Sequence, residues 1–516
     1  MRCFTFTALL FAGISWFAKG QSVDSTLQRG AYGTYFVQLA STGISSSDRT
    51  PFWLYTNQYG AIPTKPQPGM ISGGAYYHLP LSRNSNKWVL DGAVEGIVQS
   101  SNPEVKGILT EGYLRLNYKK WELYGGRKRE YYGLSDTLTG MGSLAWSGNA
   151  LPIPQIRLGT SDFIPVPFIG NILKVKGYFT HGWFENNGTF AKNVWLHSKG
   201  LYLRFGKESW PIILHGGFNH FVQWGGYAPS LAGDPGVLSK DGHFNTSLYA
   251  YWGVVSGMSM QKLGHKGYPM DDFISIDVNR IGNHLGTIDM GLQWKHCDFD
   301  LFFYRQSMFD DGSLFYLINV DDGLSGVRYM NKIQQATDFH LLRVTAEYLS
   351  TRDQGGSTFN IDVNDPFLRG RDNYFNHSQY QDGWKYFGKS IGTPFIQPDA
   401  DLKNGVKRGW ISFPNNRVQV FNVAVQGRYK KRTTWEIRAS YSNNLGTYDH
   451  PYRVSEPDGA LTTLSQLSTM LRVGVKVPWL GGSEITGAVA YDKGDMYDDT
   501  IGGFLSIRKR GFFGVR

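Results

Sequence analysis

The side chains with chemistry to offer are aromatic rings set beside amides and carboxylates. Trp53, Tyr55, Trp146, Asn149, Trp183, Trp224, Asp382 and Trp384 sit in irregular polar stretches. An indole face packs against the C–H surface of a sugar ring, while amides and carboxylates hold its hydroxyls. With Arg157 they form a candidate glycan-binding set. A second set is basic. Arg115, Lys174, Lys176, Arg204, Lys295, Arg438, Arg472 and Lys476 occupy alternate positions of strand-like segments and outnumber Asp289, Asp298, Asp300 and Glu436 on the same faces. A wall biased to one sign focuses potential and favours an anionic ligand. The same residues have ordinary structural uses too. Tryptophans fill loop cores or interface belts, and basic residues pair with loop carboxylates.

Enzymatic constellations are missing from the sequence. The G-x-S-x-G match at Gly388–Gly392 lies within an irregular polar stretch and not at the end of an apolar strand, so it does not read as a nucleophile elbow, and there is no HExxH. The histidines are scattered without metal-ligand spacing. GGYAPSLAGDPG lacks the Lys-Ser/Thr ending of a phosphate loop. No catalytic residue, metal or cofactor is therefore expected.

The elements that must position these groups are strands. In Leu285–Gln306, Ile288, Met290, Leu292 and Trp294 fall on one face, opposite Thr287, Asp289, Gln293 and Lys295. After a break at His296 and Cys297, Phe299, Leu301 and Phe303 oppose Asp298 and Asp300. Period-2 alternation on both sides of so short a break is a hairpin. The pattern recurs in Gly112–Tyr118, in Lys119–Lys128, from Leu173, from Leu201 and in Ile212–Trp224. It recurs again in His340–Thr351, around Phe421, Trp435, Leu471 and Ile485, and in the last strand from Ile501. Each strand puts apolar and aromatic residues on one side and polar ones on the other. Strands of about ten residues suit a membrane barrel with lipid outside and a polar interior. Their number, roughly 16 to 20, fits one closed domain.

Composition agrees. The 516 residues include 63 Gly, 32 Phe, 30 Tyr and 15 Trp. Mean hydropathy is −0.31, and no apolar run reaches the roughly 18 residues of a spanning helix. Arg2, the apolar Cys3–Phe17 and the small-x-small Ala18-Lys19-Gly20 read as a secretory signal over residues 1–20, removed before Gln21. The mature chain then keeps one cysteine, Cys297, and no internal disulfide, so barrel closure supplies the rigidity. The net charge of +10 points, for an exported chain, to an anionic glycan or lipid head group and not to nucleic acid.

Two stretches break the alternation, Tyr131–Gly170 and Asp353–Gly409. They are too polar to cross lipid and too long for turns. They are expected to fold into the lumen or over a barrel mouth, with a short helix within Thr137–Trp146. The fold class is thus all-β, a transmembrane antiparallel β-barrel over 21–516 with inserted loops at about 131–170 and 353–409.

Several stretches together carry a family resemblance. They include PFWLYTNQYG at Pro51, WELYGGRK at Trp121, LAWSGNALPIPQIRLG at Leu144 and YFTHGWFENN at Tyr178. FDDGSLFYLINVDDGLSGV at Phe309, EYLSTRDQGG at Glu347, DNYFNHSQYQDGWKYFGKSIGTP at Asp372 and NNRV at Asn415 complete them. The chain resembles the Wzi-type capsule assembly proteins of the Gram-negative outer membrane over nearly its whole mature length. The resemblance implies an 18-stranded barrel plugged by loops and associated with a periplasmic helical part. It also implies a lectin-like, non-catalytic role in holding capsular polysaccharide at the cell surface. Partners would then be an anionic surface polysaccharide, outer-membrane lipid and the barrel insertion machinery. Two features depart from the pattern: Phe513 is followed by Gly514, Val515 and Arg516, and little sequence remains for a separate helical part. The residues alone leave open a diffusion channel or transporter, and a barrel-embedded hydrolase or acyltransferase.

Overall fold

Side-chain alternation is realised as one antiparallel sheet closed on itself. The computed structural model describes residues 30–514 except 45–46, 82–86, 102–103, 189, 261–273, 279, 311–316, 334–337, 359–369, 453 and 456–460. The signal segment 1–20, the loop Gly264–Asp272 and the last two residues lie outside the described residues. The strands are β1 (Tyr32–Ile44), β2 (Gly69–Pro80), β3 (Trp88–Ser101), β4 (Glu104–Tyr118), β5 (Trp121–Arg127) and β6 (Gln155–Thr160). Next come β7 (Leu173–Trp183), β8 (Trp195–Phe205), β9 (Ile212–Trp224), β10 (Asn283–Lys295), β11 (Phe299–Asp310) and β12 (Gly323–Asn331). The last are β13 (Phe339–Ser350), β14 (Val418–Tyr429), β15 (Thr433–Asn444), β16 (Leu464–Val477), β17 (Ser483–Gly494) and β18 (Thr500–Gly514). A two-residue strand, Ile164–Pro165, adds a short pairing to β7.

Each long strand pairs with its sequence neighbours, and β1 pairs with β18 from Tyr32↔Gly514 to Ile44↔Gly502. This is a closed 18-strand barrel without a free edge. The expected hairpin is present in register, with Leu292 opposite Phe303 and Trp294 opposite Leu301. Outward positions are apolar and exposed, among them Leu114, Leu201, Met290, Val423, Leu471 and Leu505. Their strand neighbours Asn422, Glu436 and Arg438 are buried inside.

The two ends differ. Turns 119–120, 206–211, 296–298, 430–432 and 478–482 are short and share the end that carries both chain termini. Trp88, Trp121, Trp210, Trp294 and Trp479 are exposed close to it, as in an aromatic girdle. Connections 45–68, 128–154, 225–282, 351–417 and 445–463 all leave the opposite end. Outer-membrane barrels put short turns on the periplasmic side and long loops outside.

Two expectations are corrected. Thr137–Trp146 forms turns and bends, not a helix, because its backbone amides are taken by side chains: the Leu138 and Thr139 amides bond the neighbouring Asp136 and the Met141 amide bonds Glu347 of the wall. Gln155–Thr160, expected within an insertion, is wall strand β6. Ile156 and Leu158 point out, Gln155 and Arg157 point in, and six residues between proline-rich flanks were too few to show the alternation. The described helices are α1 (Phe52–Tyr55), α2 (Leu248–Ser256) and three 3-10 turns, with no helical bundle among the described residues.

Candidate functional site

Three loops fill the lumen: 45–68, 128–154 and 351–417. Phe52, Trp53 and Tyr55 come from the first, Leu144 and Trp146 from the second, and Phe375, Trp384 and Phe395 from the third. They form one apolar core with inward strand residues such as Tyr178, Phe221, Leu285 and Val420. A plug in a polar lumen must also satisfy its backbone. Hydrogen bonds therefore stitch the second loop to the third, Ser147 N–H to the Ile391 carbonyl at 2.8 Å and Thr393 N–H to Leu144 at 3.0 Å. The wall contributes acceptors. Glu347 takes the Met141 amide at 2.5 Å, the Tyr304 hydroxyl at 2.6 Å and the Asn422 amide at 3.0 Å. Asp289 takes the Leu134 amide at 2.8 Å. From the plug side, Asp136 receives Arg343 at 2.7 Å and Arg328 at 3.3 Å. Burial opposes ionisation of Asp136, but the Thr139 amide and the two arginines win and hold its carboxyl below the usual range.

The proposed aromatic set is placed mostly inside this plug. Trp53, Trp146, Trp224 and Trp384 are buried, which corrects the expectation of exposed stacking faces at these positions. The largest apolar rings are where burial gains most. Trp384 donates from Nε1 to the Ala145 carbonyl at 2.7 Å and meets Trp146 edge-on at 6.1 Å. Trp53 donates to Ser440 Oγ at 3.0 Å, with the Arg438 guanidinium 4.4 Å from its ring. Asn149 donates to the Ser390 carbonyl at 3.0 Å. Arg157 is held by Glu130 at 2.7 Å and lies 4.7 Å from the Tyr178 ring. Asp382 accepts the Phe190 and Ala191 amides, each at 3.0 Å, and so ties two loops together. Trp183 is partly exposed on the outer wall, and Trp224 belongs to a separate cluster with Val222, Ala250 and Val254. A cavity of about 60 Å³ between Trp53, Tyr131, Arg438 and Arg472 has room for a few waters and not for a sugar ring.

The basic wall is largely paired. Arg115 meets Asp91 at 2.8 Å. Lys174 meets Glu208 at 2.8 Å, Arg204 bonds the same carboxylate, and Lys295 lies 3.8 Å from it. Arg438 and Arg472 share Glu436 at 2.9 and 3.7 Å. No ion pair is formed by Lys176 or Lys476 among the described residues. The pairing of basic residues with carboxylates was readable as a structural use and Glu436 stood on the same face, but Glu208 as the shared partner of three cations was not, because it lies in a turn.

A space large enough for a ligand and lined by polar side chains lies at the loop end. A cleft of about 510 Å³ is lined by Asp372, Asn373, Asn376, Gln381 and Trp410, with Ile276 across from them. Trp410 is 65% exposed and stands edge-on to His450 at 4.4 Å. Arg371, on the cleft, is ion-paired with Asp449. His377 is pushed down by burial to about 4, so it is neutral at pH 7 and offers hydrogen bonds, not charge. The set is an open indole face with amides and carboxylates around it. The sequence singled out the Asp372–Gly388 stretch, but Trp410 escaped because it follows a basic, unpatterned segment. At the other end, the exposed turn residues His296, Cys297 and Asp298 bring one donor atom each within 4.8 Å of one another. They lie far from the cleft and have no part in it.

A closed barrel with short turns at the terminal end, long loops opposite and a loop-filled lumen defines a plugged β-barrel of the outer-membrane class. Residues 17–231 match the family model described as capsule assembly protein Wzi. The fold is similar to a solved Escherichia coli structure described as Wzi, an outer membrane protein involved in group 1 capsule assembly and a carbohydrate-binding β-barrel. Identity is 15%, 92% of this chain and 84% of that chain are covered, and the TM-score is 0.57. The likeness to the Wzi family expected from the sequence motifs is thus matched by the family model over residues 17–231 and by the fold over most of the chain. Acinetobacter baumannii OccAB4 (11% identity, 95% and 100% covered, TM-score 0.44) and Pseudomonas aeruginosa OccK5 (10%, 94% and 99%, 0.42) are more distant. No curated protein matches the chain.

Proposed function

We propose that the protein is a non-catalytic, lectin-like barrel of the Gram-negative outer membrane, exported by its signal segment and inserted by the barrel assembly machinery. It binds capsular or other surface polysaccharide and helps attach it to the cell. The observation that carries this reading is the cleft at the loop end, with Trp410 open to solvent among Asn373, Asn376, Gln381 and Asp372. A plugged lumen beneath it supports holding a polymer over conducting one. The cleft's charges are Asp310, Asp372 and a paired Arg371. Recognition there runs through ring stacking and hydroxyl hydrogen bonds, while the net charge of +10 favours anionic chains over the surface as a whole.

The test has two parts. Purified polysaccharide from the producing cell is titrated onto the detergent-solubilised protein and onto Trp410→Ala. The variant is expected to bind at least about fivefold more weakly, since an aromatic stack contributes roughly 1 kcal/mol or more. Deletion of the gene is expected to leave polysaccharide made but shed into the medium. Equal binding by the variant removes the cleft, and unchanged retention on the deleted cells removes the attachment role.

A further inference from the structure

The strand β9 carries two apolar clusters on opposite faces. Phe221 points inward into the plug. Val222 and Trp224 point outward into a second cluster with Ala250 and Val254 of α2. The register of β9 with β8 and β10 is unbroken, so outward residues are assigned by alternation from Leu201, Phe218 and Ile288, which are exposed on the same three strands. Helix α2 thus lies against the outside of the barrel, close to the loop end.

What it covers is polar. Continuing upward along the outward rows come His181 on β7, His197 and Lys199 on β8, His220 on β9 and His284 on β10. Tyr251 of α2 meets the His181 and His197 rings at 5.9 and 6.0 Å. Lys199 donates its ammonium to the Val255 carbonyl in the last turn of the helix. His220 and His284 bond each other at 2.9 Å, and the second ring nitrogen of His284 meets the Ile281 carbonyl at 2.8 Å. Lys199 is only two residues from the exposed Leu201. An apolar band about 25 Å tall spans more strand length than Phe205 to Leu201 supplies, so part of this polar patch falls within the height of lipid.

The helix itself is built to end where it does. Ser247 caps its start by accepting the Ala250 amide at 3.2 Å, and Gly257 ends it at φ 67°. Its sequence LYAYWGVVS has no charge. One side, Ala250 and Val254, is buried on the wall; on the other, Leu248 is 85% and Trp252 51% exposed. That exposed side is turned away from the wall residues Val222 and Trp224, against which Ala250 and Val254 pack.

We propose that α2 is a membrane-embedded strap: it roofs the outward His/Lys patch, and its Leu248–Trp252 face is covered by acyl chains of the outer leaflet. This requires the barrel to span a membrane but is independent of any glycan. The strap holds the Leu248–Ser256 part of this connection against the outside of the wall.

The test uses the full chain in lipid vesicles. On a Cys297→Ser background, Leu248→Cys and Trp252→Cys carry a nitroxide, with Leu201→Cys as wall control and Trp410→Cys as mouth control. Collision with oxygen and with a water-soluble nickel chelate reports depth. Both helix labels are expected to match Leu201, with oxygen favoured, and to differ from Trp410. Helix labels that behave like Trp410 overturn the proposal. A wall label that is also aqueous overturns it together with the spanning reading. As a measurement without cysteine variants, vesicles of brominated phospholipid are expected to quench wild type more than Trp252→Phe. Equal quenching counts against the strap.

Discussion

Replacing Trp384 with alanine should loosen the plug without opening the wall. Trp384 is fully buried, contacts Trp146, Phe221 and Phe184 by its ring, and donates to the Ala145 carbonyl at 2.7 Å. Removing a buried indole costs about 3–5 kcal/mol through lost transfer energy and the cavity left behind. Loss of the hydrogen bond, about 1 kcal/mol, falls within that range. None of these contacts belongs to the strand ladder, so the cost lands on local opening of the plug. At 1.4 kcal/mol per decade this is roughly two to four decades faster exchange. The reporting amides are Ser147 and Thr393, which bond across the two loops at 2.8 and 3.0 Å, and Ile391, which bonds the Trp384 carbonyl at 3.1 Å within the third loop. Hydrogen exchange followed by mass spectrometry on the detergent-solubilised protein reads them directly. Strand amides of β15 to β18 should be unchanged. Acceleration below tenfold at all three positions, in a protein that still shows barrel mobility on a gel, would refute the reasoning.

Further outcomes follow from the same structure. Wild type in a planar bilayer should give no steady ohmic conductance, whereas Trp384→Ala should give intermittent current as the plug opens. Glu347→Ala strands the Met141 amide, the Tyr304 hydroxyl and the Asn422 amide together. It should cost roughly 3 kcal/mol or more, and Glu347→Gln, which keeps one acceptor oxygen, distinctly less, read as the temperature of loss of the folded gel band. Asp277 is pushed up by burial to about 7, against a Gln379 hydrogen bond at 3.3 Å. The folded state then holds its proton more tightly than the unfolded chain. The contribution is full below about pH 4 and is lost as pH rises through 7, by at most roughly 4 kcal/mol. Protease nicking near 274–278 should therefore increase from pH 5 to pH 8.5, and Asp277→Asn should abolish that dependence.

The sequence by itself determined the wall. Period-2 alternation is a local property, since neighbouring side chains of a strand must point to opposite faces whatever they pair with. Ile288 to Trp294 and the late strands could therefore be assigned to lipid from their own residues. Closure followed from the number and length of such strands. The strand β6 was hidden because six residues give too few alternations, and α2 because nine residues are too few to show a helical period, although Ser247 and Gly257 mark its ends.

Only the tertiary structure decided what each polar or aromatic residue does. Whether a tryptophan stacks on a ligand or fills a core depends on what lies over its face, and that is set by loops distant in the chain. Trp384 is closed off by Ala145 and Trp146, and Trp410 by nothing over most of its surface. The inward charges were readable as a row, but their balance was not. Arg204 and Lys174 are answered by Glu208 from a turn, and Arg438 by Glu436 on its own strand. Burial and pairing are long-range quantities, because they depend on where the chain returns; alternation is short-range, and a single sequence carries it in full.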